Sequence, residues 1–231
     1  MNQLVIAASE NYRQPHESAE DYANRIYQLS LTKASNAAEF GKRIHSAVEV
    51  YPQLTIDQEI MPWFLEFEKW WISREIEFIK REKILLDHDL GIAGTTDLIA
   101  RSKGKKKIFD YKTQDVKVDD KGNKKPAFYD SWVRQLSFYS VAEAKESGSF
   151  PYIDACVSVI IDSNPGGLIY EREWTKEEVL SAYQDFCLAA YSWFKGNLKR
   201  KPFWPARNGP WSVEIGVKMP AAEYFYESKT N

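Results

Sequence analysis

At 231 residues, with 44% hydrophobic and 28% charged side chains, the chain can bury one sizeable core, which excludes a disordered tail. The formal charge of −2 does not exclude a nucleic-acid partner, because local patches meet phosphates and a metal site is itself acidic. Its two cysteines, Cys156 and Cys187, lie outside any CxxC or Cys/His cluster, which argues against zinc and iron–sulfur sites and fits a reducing cytoplasm. The N-terminus lacks a signal-peptide pattern, and no apolar run reaches the roughly 20 residues that span a bilayer. A cytoplasmic protein without a membrane partner is expected.

Residues 17–31 (ESAEDYANRIYQLSL) read as an amphipathic helix with Tyr22, Ile26 and Leu29 on one face. A second helix is expected from Ser35, striped by Ala38, Phe40, Ile44, Ala47 and Val48 and ended by Pro52. A third, very aromatic helix covers 61–76. The period then changes. IEFIKREKILLD alternates towards a turn at Asp87–Gly91, and IAGTTDLIAR and KKIFDYKT read as two strands joined by the basic turn SKGKK. That turn is expected to be a solvated hairpin tip, with phosphate contact as the alternative. Gln114–Pro126, polar and rich in Lys, Asp and Gly, reads as a mobile loop.

A helix follows (YDSWVRQLSFYSVAEAKES), closed by Gly148 and Pro151. Next come an apolar strand (IDACVSVIID), a turn at Asn164–Gly167 and a further strand (LIYEREW). The last helix opens at Thr175, with Glu178 at capping-box spacing. Lys199–Asn231 is rich in Pro and Trp and carries cations, notably in KRKPFWPARNGPW; backbone neutralisation with base stacking and a packed flap fit it equally. The order of elements predicts an α/β fold, a three-layer α/β/α core with a mixed central sheet and helical additions. One domain is expected over 1–231, made of a helical part (1–75), a catalytic core (76–195) and a C-terminal extension (196–231).

Asp110 and Lys112 stand two apart in an expected strand, so their side chains leave the same face. Asp97, in the preceding strand, would lie beside Asp110 if the hairpin register brings them together. Two carboxylates so placed repel unless a cation sits between them, and a hard divalent ion is the fitting one. Lys112 could then orient or deprotonate a water, or stabilise charge on a phosphate. Glu82, one strand earlier, could add a third carboxylate. A lone Asp-x-Lys is more often a pair of solvated charges, but here both residues sit in the apolar strand KIFDYKT, where charges need a purpose.

GIAGTTDLIA, IFDYKT and RQLSFY, in that order, resemble the PD-(D/E)XK nucleases, specifically their RecB-like and phage-exonuclease branch. The family pattern is Gly-x-x-Asp on one strand, Asp/Glu-x-Lys on the next and Gln-x-x-x-Tyr on a following helix. The resemblance implies a restriction-endonuclease-like fold, with Asp97, Asp110 and the Tyr111 backbone carbonyl as metal ligands and Lys112 as catalytic lysine. Gln135 and Tyr139, one helical turn apart, become the supporting motif, and Glu82 the acid of the earlier strand. EFGKRIHSAVE points to His45 as an extra ligand, although Gly-Lys-Arg-Ile-His departs from the Gly-Thr expected ahead of that histidine.

The implied activity is Mg²⁺-dependent DNA hydrolysis, with Mn²⁺ as substitute and no iron–sulfur cluster. An exonuclease of phage-type or RecB-like recombination, repair or degradation is expected. The alternatives are a structure-specific endonuclease of the same fold and a catalytically silent DNA-binding module. DNA is the implied partner. A strand-annealing protein, a helicase or a homo-oligomer is suggested by family analogy, and the compartment would be the host cytoplasm for a phage protein.

Overall fold

A computed structural model describes residues 3–52, 58–88, 90–148, 153–164 and 166–197. The chain divides into two compact units, Met1–Ile60 and Met61–Asn231. The expected extension after 196 lies almost wholly outside the described residues, including the Lys199–Trp211 segment.

The first unit holds α1 (Gln3–Glu10) and α2 (Ala19–Glu49). Ser18 caps α2, its hydroxyl accepting from the Asp21 N–H at 3.0 Å. The two helices expected over 17–52 are this single one. Ser35 reads as a cap, yet LTKASNAAEF contains neither Gly nor Pro, and its alanines favour continuation.

The second unit is a five-stranded mixed sheet with helices on both faces. Its elements are α3 (Met61–Ser73), β1 (Ile76–Asp87), β2 (Ile92–Ser102), β3 (Lys105–Gln114), α4 (Asp130–Ser147), β6 (Ala155–Asp162), β7 (Ile169–Trp174) and α5 (Lys176–Asn197). The short β4 (Lys117–Val118) and β5 (Lys124–Lys125) pair separately. The sheet order is β1-β2-β3-β6-β7, antiparallel except for the β3–β6 pair. A parallel pair needs a crossover, and α4 supplies it. β6 (ACVSVIID) is buried at every position, as suits a central strand covered on both faces.

Alternation along β3 sorts its side chains between the layers. Phe109 and Tyr111 pack against α3, with the Trp70 ring 5.9 Å from Phe109 and the Phe67 ring 5.5 Å from Tyr111. Ile108 turns the other way, into the core it shares with Leu136, Tyr139 and Ala142 of α4. Asp110 and Lys112 share the parity of Ile108 and so face α4. α5 lies on α4 through Tyr183, Cys187 and Val141, and its capping box forms as expected, with Glu178 N–H to Thr175 Oγ1 at 3.1 Å and Thr175 N–H to Glu178 Oε2 at 2.8 Å. The fold class expected from the sequence is the one observed. α3, grouped by sequence with the N-terminal helical part, belongs to this second unit.

Gln114–Pro126 corrects one expectation, since it forms the β4–β5 hairpin instead of an irregular loop. Asp119 closes its turn by accepting from the Lys121 and Asn123 N–H groups, both at 2.9 Å. Strands of two residues carry no readable alternation, which hid the hairpin. The buried Asp162 anchors it, accepting from Val116 N–H (3.2 Å), Asn164 N–H (3.1 Å) and Lys124 Nζ (2.9 Å). The basic β2–β3 turn, with Lys103 and Gly104 both at positive φ, is a tight hairpin turn. It stands at the end of β3 away from Lys112. Lys106 and Lys107 there are paired with Glu143 and Glu173, while Arg101, Lys103 and Lys105 are exposed.

Candidate active site

The β2–β3 ladder runs from Ser102↔Lys105 to Leu98↔Phe109 and stops there. One step further the register would set Asp97 opposite Asp110, on the face towards α4. β3 continues with β6 on its other side as far as Gln114↔Asp162. The strands part at the acidic pair, and Asp97 Oδ2 accepts the Tyr111 N–H at 2.6 Å, a donor that the interrupted ladder leaves over. The Asp97 carboxylate is thereby fixed against the backbone that carries Asp110.

Asp110 is 1% exposed. Lys112 Nζ lies 2.8 Å from its Oδ1 and 2.7 Å from its Oδ2. The same ammonium donates to Gln135 Oε1 at 3.3 Å, and Gln135 Nε2 donates to the Tyr139 hydroxyl at 2.8 Å. Residues predicted from β3 and from α4 thus form one hydrogen-bonded chain, Asp110–Lys112–Gln135–Tyr139. Burial holds the Tyr139 hydroxyl above its usual range against the opposing Gln135 bond, and the charges of Asp110, Asp97 and Glu82 add to the rise. That hydroxyl therefore senses three carboxylates at once and stays protonated.

Glu82 is exposed and takes φ 44° on β1, in the gap between the pairs Arg81↔Leu98 and Lys83↔Thr96, across from Asp97. A left-handed backbone at a residue with a Cβ costs about 1–2 kcal/mol, and such strain gathers at functional sites. Tyr111 carries its ring to the α3 face, while its backbone sits between Asp110 and Lys112. His45 lies half-buried on α2, in the first unit, so the geometry of the second unit does not include it. The Cys156 thiol, pushed up to about 12 by burial, stays protonated and has no nucleophilic part here.

Gly94 is the residue that sequence reasoning left without a role. A Cβ built there would stand 2.7 Å from Tyr139 Cε1 and 3.4 Å from its hydroxyl oxygen. The Tyr139 ring thus rests directly on the β2 backbone, three residues before Asp97, and only glycine admits it. The glycine of Gly-x-x-Asp was the available signal, but its reason is a contact with a helix 45 residues onward.

Among the described residues, no group of three or more His, Cys, Asp or Glu side chains stands gathered as a metal cage. The donor chemistry nevertheless fits a hard divalent cation. Asp97 and Asp110 are both hard oxygen donors, one register step beyond the last β2–β3 pair. Among the described residues no helix is long and apolar enough to cross a membrane.

A crystal structure of a "Putative exonuclease" from Eubacterium rectale aligns over 86% of this chain and 67% of its own, with TM-score 0.41 and 11% identity. The crystal structure of SSO0001 aligns over 74% and 80%, with TM-score 0.26 and 15% identity. Both likenesses are too distant to carry an argument. No curated protein matches. The family model described as "PD-(D/E)XK nuclease superfamily" matches residues 16–173, well over half of the chain and every position of the network above. With the motif residues gathered where β2 and β3 part, the chain belongs to the PD-(D/E)XK nuclease superfamily.

Proposed function

We propose that the chain is a divalent-cation-dependent DNA phosphodiesterase, acting as an exonuclease in recombination, repair or degradation of the phage or RecB-like kind. The observation that carries it is the hydrogen-bonded chain at the β2–β3 fork, where Lys112 Nζ lies 2.7 Å from the buried Asp110 carboxylate and 3.3 Å from Gln135, with Asp97 fixed on the Tyr111 N–H at 2.6 Å. Asp97, Asp110 and the Tyr111 carbonyl would hold Mg²⁺, or Mn²⁺ in its place. The ion would supply charge neutralisation on the phosphate and a water of lowered pKa.

The chain's own residues do the rest. Lys112 presents its ammonium beside the metal-binding carboxylates, where it orients the attacking water and stabilises negative charge on the phosphate oxygens. Gln135 holds that ammonium through Oε1 and is itself held by Tyr139 through Nε2. A lysine stem of four rotatable carbons is thereby kept to one position. Glu82, from its left-handed position within β1, adds a third carboxylate to the metal side. His45 is proposed as a further ligand from the first unit, with the cytoplasm as the working compartment.

The test is cleavage of linear and covalently closed circular DNA by wild-type and Asp110→Ala protein, with Mg²⁺ and with EDTA. Wild-type protein with Mg²⁺ is expected to degrade linear DNA alone. Cleavage of closed circles would select an endonuclease, and cleavage that survives EDTA or Asp110→Ala would overturn the mechanism. No cleavage of either DNA would leave a binding module. A weaker Mg²⁺ dependence of His45→Ala protein reports the histidine's contribution.

A further inference from the structure

We propose that Trp132 and Tyr129 form a stacking platform for an unpaired base beside the scissile phosphate, which makes DNA with a single-stranded end the substrate class. This rests on the nuclease reading of the Asp110–Lys112 site and adds to it which DNA the site accepts.

The placement follows from α4. Trp132, Gln135 and Tyr139 stand at i, i+3 and i+7, on one face of the helix. Gln135 reaches Lys112 and Tyr139, so Trp132 lies one helical turn from the residue that holds the catalytic ammonium. Tyr129 is 53% exposed, and its ring stands 5.0 Å from that of Trp132 at 85°. Phe128 backs the pair from the core side, 6.2 Å from Trp132 and packed against the cluster that contains Leu136 and Tyr139. The segment is bolted to the site from the other side as well. The Gln114 side chain, two residues beyond Lys112 on β3, bonds both Ala127 N–H (2.9 Å) and Ala127 C=O (3.0 Å).

Two features select a base over a phosphate as the occupant. Tyr129 holds the N-cap position of α4 and makes no side-chain capping bond there, where Ser, Thr, Asp or Asn would add about 1 kcal/mol. An exposed ring replaces a stabilising cap. Asp130 begins the helix and repels an anion at that end. The neighbouring hairpin is close to electrically balanced, with Lys117 and Lys125 set against Asp115 and Asp119. Stacking on a π-face needs no cation and is available to any base, but a base inside a duplex has both faces covered. The platform is therefore usable only by a strand that is unpaired at the site.

The experiment measures binding of a short single-stranded oligonucleotide with 2-aminopurine near its end, and of a blunt duplex of the same sequence, with EDTA present so that no strand is cut. The expected result is that Trp132→Ala and Tyr129→Ala each weaken single-strand binding by about tenfold or more. Trp132→Phe should restore most of it, the probe's quenching should fall with the affinity, and the duplex should lose at least about fivefold less. With Mg²⁺, the loss on single strands should fall on KM more than on kcat. Equal losses on both DNAs, unchanged quenching in the variants, or failure of Trp132→Phe to rescue would overturn the platform. Tyr129→Ala, at an exposed position, keeps the test decisive if Trp132→Ala misfolds. Stacking by a wild-type protein that cuts no DNA would uphold the platform and remove the nuclease reading. Cleavage without selective stacking would do the reverse.

Discussion

Helix α4 presses buried charge against the sheet at both of its ends, and the two ends are composed differently. Towards its C-terminus, Glu143 (4% exposed) pairs with Lys83 of β1 and with Lys106 of β3, at 3.1 Å for the latter. Glu146 joins Lys83 at 3.2 Å, and Lys145 meets the buried Asp87 at 2.9 Å. Each carboxylate there has an ammonium group of its own. Towards the N-terminus, Asp97, Asp110 and Glu82 share the surroundings of Tyr139 with the ammonium of Lys112. The balanced end holds helix to sheet and asks for nothing further. The other end brings acids of β1 and β2 towards the Asp110–Lys112 pair, and it is there that the proposed cation would bind.

The two ends can be separated experimentally, beginning with the balanced one. Glu143→Ala leaves Lys106, 5% exposed, without its carboxylate partner, and should lower unfolding free energy by about 3–5 kcal/mol. Burial already pulls Lys106 down against the Glu143 attraction, whereas Lys83, despite its own burial, is held up by Glu143 and Glu146. The loss should be the same with EDTA as with Mg²⁺ in a urea titration. Dependence on Mg²⁺ would mean that the ends do not act separately.

At the other end, Lys112→Ala should lower kcat by about 10²–10³-fold, as the removal of a preorganised charge at a developing anion does. The same substitution removes the ammonium beside Asp110, so the Mg²⁺-induced rise in Tm should be larger in Lys112→Ala than in wild type. An equal or smaller rise would contradict the proposed cation site even if activity disappears.

Gly94→Ala sharpens the geometric side. The Tyr139 ring is buried and would have to withdraw, which should cost about 2 kcal/mol of stability. A displacement of the Gln135–Lys112 chain by an ångström would lower kcat by about 10²-fold. Tyr139→Phe alone, which keeps the ring against Gly94 and removes only the hydroxyl, tells the two apart. If it keeps stability but loses rate, the hydroxyl's bond to Gln135 is the working part.

The smallest effect concerns Asp162 beneath the hairpin. Burial pushes its carboxyl up, but Lys124 and the Asn164 and Val116 N–H groups outweigh that and hold it below the ordinary range. A lowered folded value means that its stabilisation is present above the unfolded-chain value and is lost as pH falls through the folded one. Asp162→Asn should therefore cost about 1.5 kcal/mol near neutrality. The difference from wild type should shrink only in acid below the normal carboxylate range. A difference that vanishes already above that range would show that the anchor is not ionic.

The legible and the hidden parts of the fold divide along physical lines. KIFDYKT announced β3 and its inward acid because alternation with period two is a property of a few consecutive residues. Thr175 with Glu178, and Gly148 with φ 60°, announced helix ends for the same reason. α2 was read as two helices because Ser35 suits a cap, and no local signal says whether a cap is used. The β4–β5 hairpin was missed because its cohesion resides in Asp119 and in Asp162, 43 residues apart. Gly94 was named only as part of a motif because the ring that requires it comes from another element.

The sequence by itself determined the residue types and their spacing: two acids and a lysine in apolar strands, and an amide with a phenol one turn apart on a helix, the set expected for oxygen ligands, an ammonium and a supporting motif. The packing of α4 over the end of the β2–β3 ladder decided which of them meet, Lys112 with Gln135 and Gln135 with Tyr139. The first of these contacts joins residues 23 apart in the chain, and a contact between two elements leaves no mark on any short stretch of sequence.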